Sequence, residues 1–190
     1  MAIVLASQSP RRQELLQRIG VEDFKTLSLD IDESYPAGLS PEDTVRYIAK
    51  KKCDAAAALC SPDDLIITAD TMVFLGNDRL GKPRDEEDAL RMLRALSGRG
   101  HTVCTGVSVR RGAQEERFAV STRVFFRPAT DDEIRAYIKT GEPMDKAGAY
   151  GVQSRGALFV ERIDGDFFNV MGLPVEQLGL VLARFGVKLL

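Results

Sequence analysis

Cysteine and histidine are scarce in this sequence, and long hydrophobic runs are missing. Its 190 residues include three cysteines, Cys53, Cys60 and Cys104, and one histidine, His101. Three scattered cysteines form neither a disulfide framework nor a CxxC metal motif. One histidine excludes a histidine-rich zinc site. A Ser-His-Asp triad would have to use His101, and no G-x-S-x-G elbow accompanies it. No apolar stretch approaches the roughly 18 residues that a membrane-crossing helix needs. In the opening segment MAIVLASQSPRR the charges follow the apolar residues, whereas a signal peptide carries them in front. The expectation is a cytoplasmic protein without a membrane partner. An excess of one charge is also lacking: 26 Lys+Arg against 28 Asp+Glu leave a net charge of -2. No global basic field exists to hold a nucleic-acid polymer. Repeats, low-complexity tracts and long linkers are absent.

What remains is an ordinary globular composition, 44% hydrophobic and 28% charged. The length suits a single domain over 1–190, with room for two lobes. Residues 2–6 (AIVLA) read as a short buried strand. A helix follows from Pro10 to about Ile19 and stops at Gly20. Residues 24–31 alternate as a strand would. A second helix runs from Pro41 to about Leu59, and 65–75 (LIITADTMVFL) read as a buried strand with one charge inside. A third helix covers Glu86 to Leu96, with the acidic run from Asp85 to Asp88 as its first turn. Strands are predicted over 101–110 and 116–127. A helix follows Thr130, where Glu133 completes a capping box. Residues 157–163 and 167–171 read as a hairpin around Asp164-Gly165, and the last helix spans Pro174 to about Phe185. His101 is expected at a strand start, and both Phe125-Phe126 and Phe167-Phe168 are expected in the core. Strands and helices alternate and strands then pair locally, which predicts a mixed α/β domain.

Four constellations carry chemistry. In Ser7-Gln8-Ser9-Pro10-Arg11-Arg12, Ser9 reads as an N-cap and Pro10 as the first helical residue. The second helix opens Ser40-Pro41-Glu42-Asp43, with the acids that a helix dipole prefers. The first opens with two arginines instead. Either both point into water, or they join free N–H groups and serine hydroxyls in a phosphate cradle. Lys52 falls on the apolar stripe Val45, Ile48, Ala49, Ala56, Leu59, while Lys50 and Lys51 fall off it. It either snorkels or reaches a buried anion. Asp70 interrupts an apolar strand and is costly there unless partnered. It reads as a partnered structural residue or, more sharply, as a general base or metal ligand. Glu33 is a candidate second carboxylate. Finally, residues 76–83 (GNDRLGKP) nearly match a Walker loop. Pro83 has neither a hydroxyl for magnesium nor an N–H for phosphate, so that reading is rejected. Lys82 is then a phosphate lysine in a rigid turn, or a solvated one. Cations with two carboxylates suit metal-assisted phosphoanhydride hydrolysis better than covalent catalysis.

The segments LASQSPRRQELL, ITADTMVFLGNDRLGKP, ALSGRGHTVCTGV and DKAGAYGVQSRGALFVERIDGDFFNVMGLP together resemble the Maf family of nucleotide pyrophosphatases. The likeness runs over nearly the whole chain in the expected order. It implies an α/β fold with a mixed sheet, flanking helices and two lobes around a deep cleft, similar to inosine-triphosphate pyrophosphatases. It implies a nucleoside triphosphate substrate, release of pyrophosphate, a divalent cation (magnesium or manganese), a house-cleaning role and a homodimer. By the same resemblance Asp70 is the catalytic proton acceptor, and Glu33 and Asp70 are the metal ligands. Ser7, Ser9, Arg11, Arg12, Lys52, Lys82 and Lys146 bind phosphate. DKAGAYGVQ with Asp70-Thr71 resembles the branch acting on dTTP and UTP, not the one acting on 7-methyl-GTP, and places base specificity on Arg11, Thr71 and Gln153. Ser154 departs from the family, which commonly has glycine there. The competing readings are a nucleotide-binding regulator of cell division with little turnover, a pyrophosphatase of different base specificity such as 7-methyl-GTP, and a broad pyrophosphatase acting on modified bases.

Overall fold

The structure is a computed structural model that describes residues 1–190. In chain order its elements are β1 (Ile3–Leu5), α1 (Pro10–Arg18), β2 (Phe24–Thr26), α2 (Pro41–Ala57), β3 (Leu65–Leu75), β4 (Asp78–Leu80) and α3 (Glu86–Leu96). They continue with β5 (Gly100–Arg111), β6 (Gln114–Phe126), α4 (Asp131–Ile138), three short 3-10 turns between Glu142 and Phe159, β7 (Val160–Asp164), α5 (Phe167–Met171) and α6 (Val175–Arg184). The seven strands form one mixed sheet in the order β2-β1-β3-β5-β6-β7, with β4 paired to β3. The chain divides into two compact units. The first comprises Met1–Asp70, Thr105–Val120 and Gly172–Leu190; the second comprises Thr71–Cys104 and Ser121–Met171.

In the first unit β1 lies between β2 and β3, parallel to both, with Leu5 opposite Thr26 and Ile67. β1 ends at Leu5, so pairing on either side ends there while β3 runs on through Asp70. That limit also explains why 24–31 yields only a three-residue strand. After Thr26 one further main-chain bond, Leu27 N–H to the Leu5 carbonyl at 3.0 Å, closes the ladder. The alternation still buries apolar side chains: Leu27 and Leu29 pack on Ala6, Cys53, Ala56 and Ile66. α2 presents Val45, Ile48, Ala49, Cys53 and Ala56 to the core. It ends at Ala57, which leaves Leu59 exposed and outside the stripe expected for it. α2 lies close on β5, because a Cβ on Gly106 would sit 2.3 Å from the Val45 carbonyl carbon.

In the second unit α3 carries its acidic first turn with Asp85 as the N-cap. α4 has the full Thr130–Glu133 capping box. An aromatic cluster of His101, Phe126, Tyr137, Tyr150 and Phe159 fills the core. The hairpin expected over 157–171 does not form. β7 instead pairs antiparallel with the distant β6, and 167–171 is helical. Two contacts favour this outcome. Asp166 accepts from the Phe168 N–H at 2.7 Å, which starts α5. The Thr122 hydroxyl on β6 bonds both the N–H and the carbonyl of Asp166 at 3.1 Å. α5 turns Phe167 and Phe168 outward, 40% and 37% exposed, contrary to the core placement expected for them.

Candidate active site

The first unit gathers seven of the predicted residues beyond the carboxyl end of β1. Ser7 and Ser9 follow that strand, and Pro10 is the first residue of α1. The first turns of α2, α3 and α4 each contain two or three acids and a side-chain N-cap bond. α1 has neither: Ser9 makes no capping bond, and no acid stands in the first turn. A helix start that carries cations and lacks a side-chain cap is a suitable place for an anion. Ser7 Oγ accepts from the Ser9 N–H at 3.2 Å and from Arg12 Nη1 at 3.3 Å. A serine hydroxyl also carries one proton of its own to donate.

Arg12 does not point into water. Its guanidinium donates to the carbonyls of Ala69 at 2.9 Å and Gly172 at 2.8 Å. It thus braces the residue next to Asp70 as well as supplying charge. Burial lowers its pKa from the ordinary arginine value, and the Asp70 charge opposes that shift.

Lys52 reaches a buried anion, as one of its two readings required. Its Nζ stands 2.7 Å from Asp70 Oδ1 and 2.9 Å from Glu33 Oε1. The Lys52 and Asp70 side chains are only 15% and 9% exposed, while Glu33 is half exposed. Asp70 Oδ2 is buried and has no hydrogen-bond partner. A buried carboxylate oxygen without a donor is costly, and function is a common reason for one to persist. Lys51 is a residue that periodicity alone passed over. It bonds Asp32 at 3.3 Å and the Ser34 carbonyl at 3.2 Å, and so holds the loop bearing Glu33. Hydrogen bonds from Ser34 and Lys51 pull the Asp32 carboxyl down to about 2. Thr68 was also missed. Its buried hydroxyl donates to the Ala49 carbonyl at 2.7 Å, tying β3 to α2 one turn before Lys52.

The remaining predicted residues lie in the second unit. Thr71 is half-buried in β3. Lys82 is exposed in the turn after β4, where the Gly148 N–H bonds the Gly81 carbonyl at 3.0 Å. Lys146 is largely buried, and its Nζ donates to the Glu142 carbonyl at 2.8 Å and to Asp145 at 2.7 Å. Between Lys146 and Gln153 the backbone is unusual. Ala149 is buried at φ 61°, in the left-handed region that favours glycine. Gln153 is exposed on a loop whose neighbours are anchored. The Glu142 carboxylate accepts from Ser154 Oγ at 2.6 Å, Tyr137 Oη at 2.8 Å, and the N–H groups of Arg155 and Gly156 at 3.3 and 3.2 Å. Burial alone would raise the Glu142 pKa, but these donors together hold it below the usual glutamate value. Nothing in the Glu142-Pro143 sequence marks it as more than a solvated loop acid.

Glu33 and Asp70, both bonded to Lys52, are the two carboxylates that could share a metal ion. No cluster of three or more acidic, histidine or cysteine side chains is arranged to hold a metal by itself. Magnesium is commonly held by one or two carboxylates together with substrate phosphates, so the donor set fits such an ion.

The profile of the Maf-like protein family matches residues 2–185. The chain is 47% identical over 98% of its length to a dTTP/UTP pyrophosphatase of Bacillus velezensis, covering 97% of that protein. It is 46% identical over 99% of its length to a dTTP/UTP pyrophosphatase of Pelotomaculum thermopropionicum, covering 98% of it. Among solved structures the fold is similar to a HAM1 protein from Coxiella burnetii, with a TM-score of 0.56, 15% identity, and coverage of 97% and 99% of the two chains. The Ham1 protein of Staphylococcus aureus is a second such neighbour, with a TM-score of 0.55, 14% identity, and coverage of 97% and 100%. The fold is an α/β protein with a mixed sheet and flanking helices. The chain belongs to the Maf-like protein family. No helix is long and apolar enough to cross a membrane.

Proposed function

We propose that this protein hydrolyses dTTP and UTP to the nucleoside monophosphate and pyrophosphate. The observation that carries this reading is Asp70. It is a buried carboxylate with one oxygen on Lys52 and the other unpaired, beside an uncapped helix end that carries Arg11 and Arg12. The full-length relatives named dTTP/UTP pyrophosphatase supply the substrate.

Water attacks the α-phosphorus. A new P–O bond forms, the bond from the α-phosphorus to the α,β-bridging oxygen breaks, and pyrophosphate leaves. Asp70 Oδ2 orients the water and takes its proton. Lys52 holds Asp70 Oδ1 and keeps the carboxylate aimed. Ser7 and Ser9 donate to phosphate oxygens, and Arg11, Arg12, Lys52, Lys82 and Lys146 balance the phosphate charge. Asp70 and Glu33 would hold magnesium or manganese, and the bound ion would neutralise phosphate charge. Arg11, Thr71 and Gln153 select the base. A glutamine amide offers one donor and one acceptor, matching the edge of thymine or uracil. A base with the wrong edge leaves those groups unpaired. By family resemblance, residues 1–190 act as one enzyme domain, in a cytoplasmic homodimer.

The test is pyrophosphate release from dTTP, UTP, CTP, GTP, 7-methyl-GTP and modified pyrimidine triphosphates with magnesium or manganese. Strong dTTP and UTP turnover is expected, and Asp70→Asn should lose it while still binding nucleotide. Turnover of another base discards the substrate assignment. Nucleotide binding without turnover of any substrate discards the enzymatic one.

A further inference from the structure

We propose that Glu142 and Ser154 form a clamp that positions Gln153 and sets how strictly this protein selects its base. The proposal rests on the reading that Gln153 contacts the base. Residues 151–156 are short of regular structure, yet they are fixed on both sides of Gln153. Before it, the Gly151 N–H donates to Tyr137 Oη at 3.1 Å. After it, Ser154 Oγ and the N–H groups of Arg155 and Gly156 all donate to the Glu142 carboxylate. Tyr137 Oη joins the two halves, since it also donates to Glu142 at 2.8 Å.

The loop closes tightly on itself. A Cβ on Gly156 would sit 2.6 Å from the Gly151 carbonyl oxygen and 2.9 Å from Tyr137 Oη. A Cβ on Gly151 would meet Ser154 Oγ and Lys146 Cε, both at 2.8 Å. The stem of Lys146 therefore lies along the same loop, and its ammonium bonds the Glu142 carbonyl. One residue thus holds the Gln153 loop with its carboxylate and Lys146 with its main chain.

The Ser154 side chain is engaged with Glu142, and glycine at 154 could make no such bond. Each charge-assisted bond to Glu142 removes freedom from the loop before the nucleotide arrives. A preorganised amide binds the matching edge more tightly and cannot shift to accommodate a mismatched one. Glu142 and Ser154 are positioning residues, since they act on the base through Gln153.

The experiment measures pyrophosphate release from dTTP, UTP and CTP by the full-length protein and its variants Ser154→Ala, Ser154→Thr, Glu142→Ala, Glu142→Gln and Gln153→Ala. Hydrogen–deuterium exchange of residues 151–156 is followed in parallel. Losing one such bond in Ser154→Ala is expected to raise KM for dTTP about three- to tenfold at unchanged kcat. The preference for dTTP over CTP should fall and exchange in the loop should quicken. Ser154→Thr, which keeps the hydroxyl, should restore all three. Glu142→Ala should exceed Ser154→Ala in each respect, and Glu142→Gln, which keeps acceptor oxygen, should lie between. Ser154 is exposed, so its variants carry the test even where Glu142→Ala fails to fold. Unchanged KM, base preference and exchange in Ser154→Ala, with a shifted preference in Gln153→Ala, overturn the clamp alone. An unchanged preference in Gln153→Ala overturns base reading by this loop, and the clamp with it.

Discussion

In the first unit, polar side chains meet across elements and by charge: Lys52 of α2 on Asp70 of β3, and Arg12 of α1 on the carbonyls of Ala69 and Gly172. In the second unit a hydroxyl from α4, the Ser154 hydroxyl and two main-chain N–H groups converge on the single carboxylate of Glu142. The difference matches the work proposed for Asp70 and for Gln153. Hydrolysis needs charges held at fixed distances in a region poor in water, and helices and strands supply that rigidity. Base reading needs an exposed amide held at the right height, and a loop pinned by hydrogen bonds supplies that.

The largest effect should come from exchanging the two kinds of damage. Asp70→Asn is expected to lower kcat by about 10²- to 10⁴-fold with nucleotide affinity retained. Gln153→Ala should instead change KM and base preference. Equal loss of kcat in both would erase the division of labour, and steady-state kinetics on dTTP and CTP decide it.

Rigidity of the first unit can be attacked from its packing. Gly106→Ala forces a methyl into the main chain of α2 and should destabilise by about 3 kcal/mol. Urea unfolding would reveal it, and an unchanged midpoint would mean that α2 is not held against β5 as described.

In the second unit His101 is buried, with Nε2 2.8 Å from Tyr150 Oη and Nδ1 without a partner. Burial lowers its pKa from 6.5 to about 4. The unfolded chain takes up this proton below pH 6.5 and the folded one only near pH 4. This contribution is complete above pH 6.5 and is lost as the pH falls to 4, a change of up to about 3 kcal/mol. Thermal unfolding across that window should show the decline, and His101→Gln should flatten it. A smaller effect is expected at the surface of the same unit. Thr130→Ala removes the capping box of α4 and should cost about 1 kcal/mol, with base preference unchanged. A changed preference would couple α4 to recognition.

Legibility followed the range of each interaction. The α2, β3, α3 and α4 readings rested on local periodicity and caps, and the structure agrees with them closely. Three readings needed a partner to be known. The strand over 24–31 stopped early because β1 is only three residues long. The Asp164-Gly165 turn does not close a hairpin because Thr122, distant in sequence, fixes Asp166. Phe167 and Phe168 are exposed because α5 replaces the expected strand.

The site divides in the same way. Arg11, Arg12, Lys52 and Asp70 each broke a local rule, a cation at a helix start or a charge on an apolar face, and so stood out in the sequence. Their side-chain types and spacing also carried the family likeness. Glu142, Thr68, Lys51 and Gly106 broke no local rule, so only tertiary structure gave them a role. Sequence alone determined which charges must be compensated, because burying a charge is costly wherever it occurs. The fold decided what compensates them, because hydrogen bonds and close backbone approaches join residues that chain order does not.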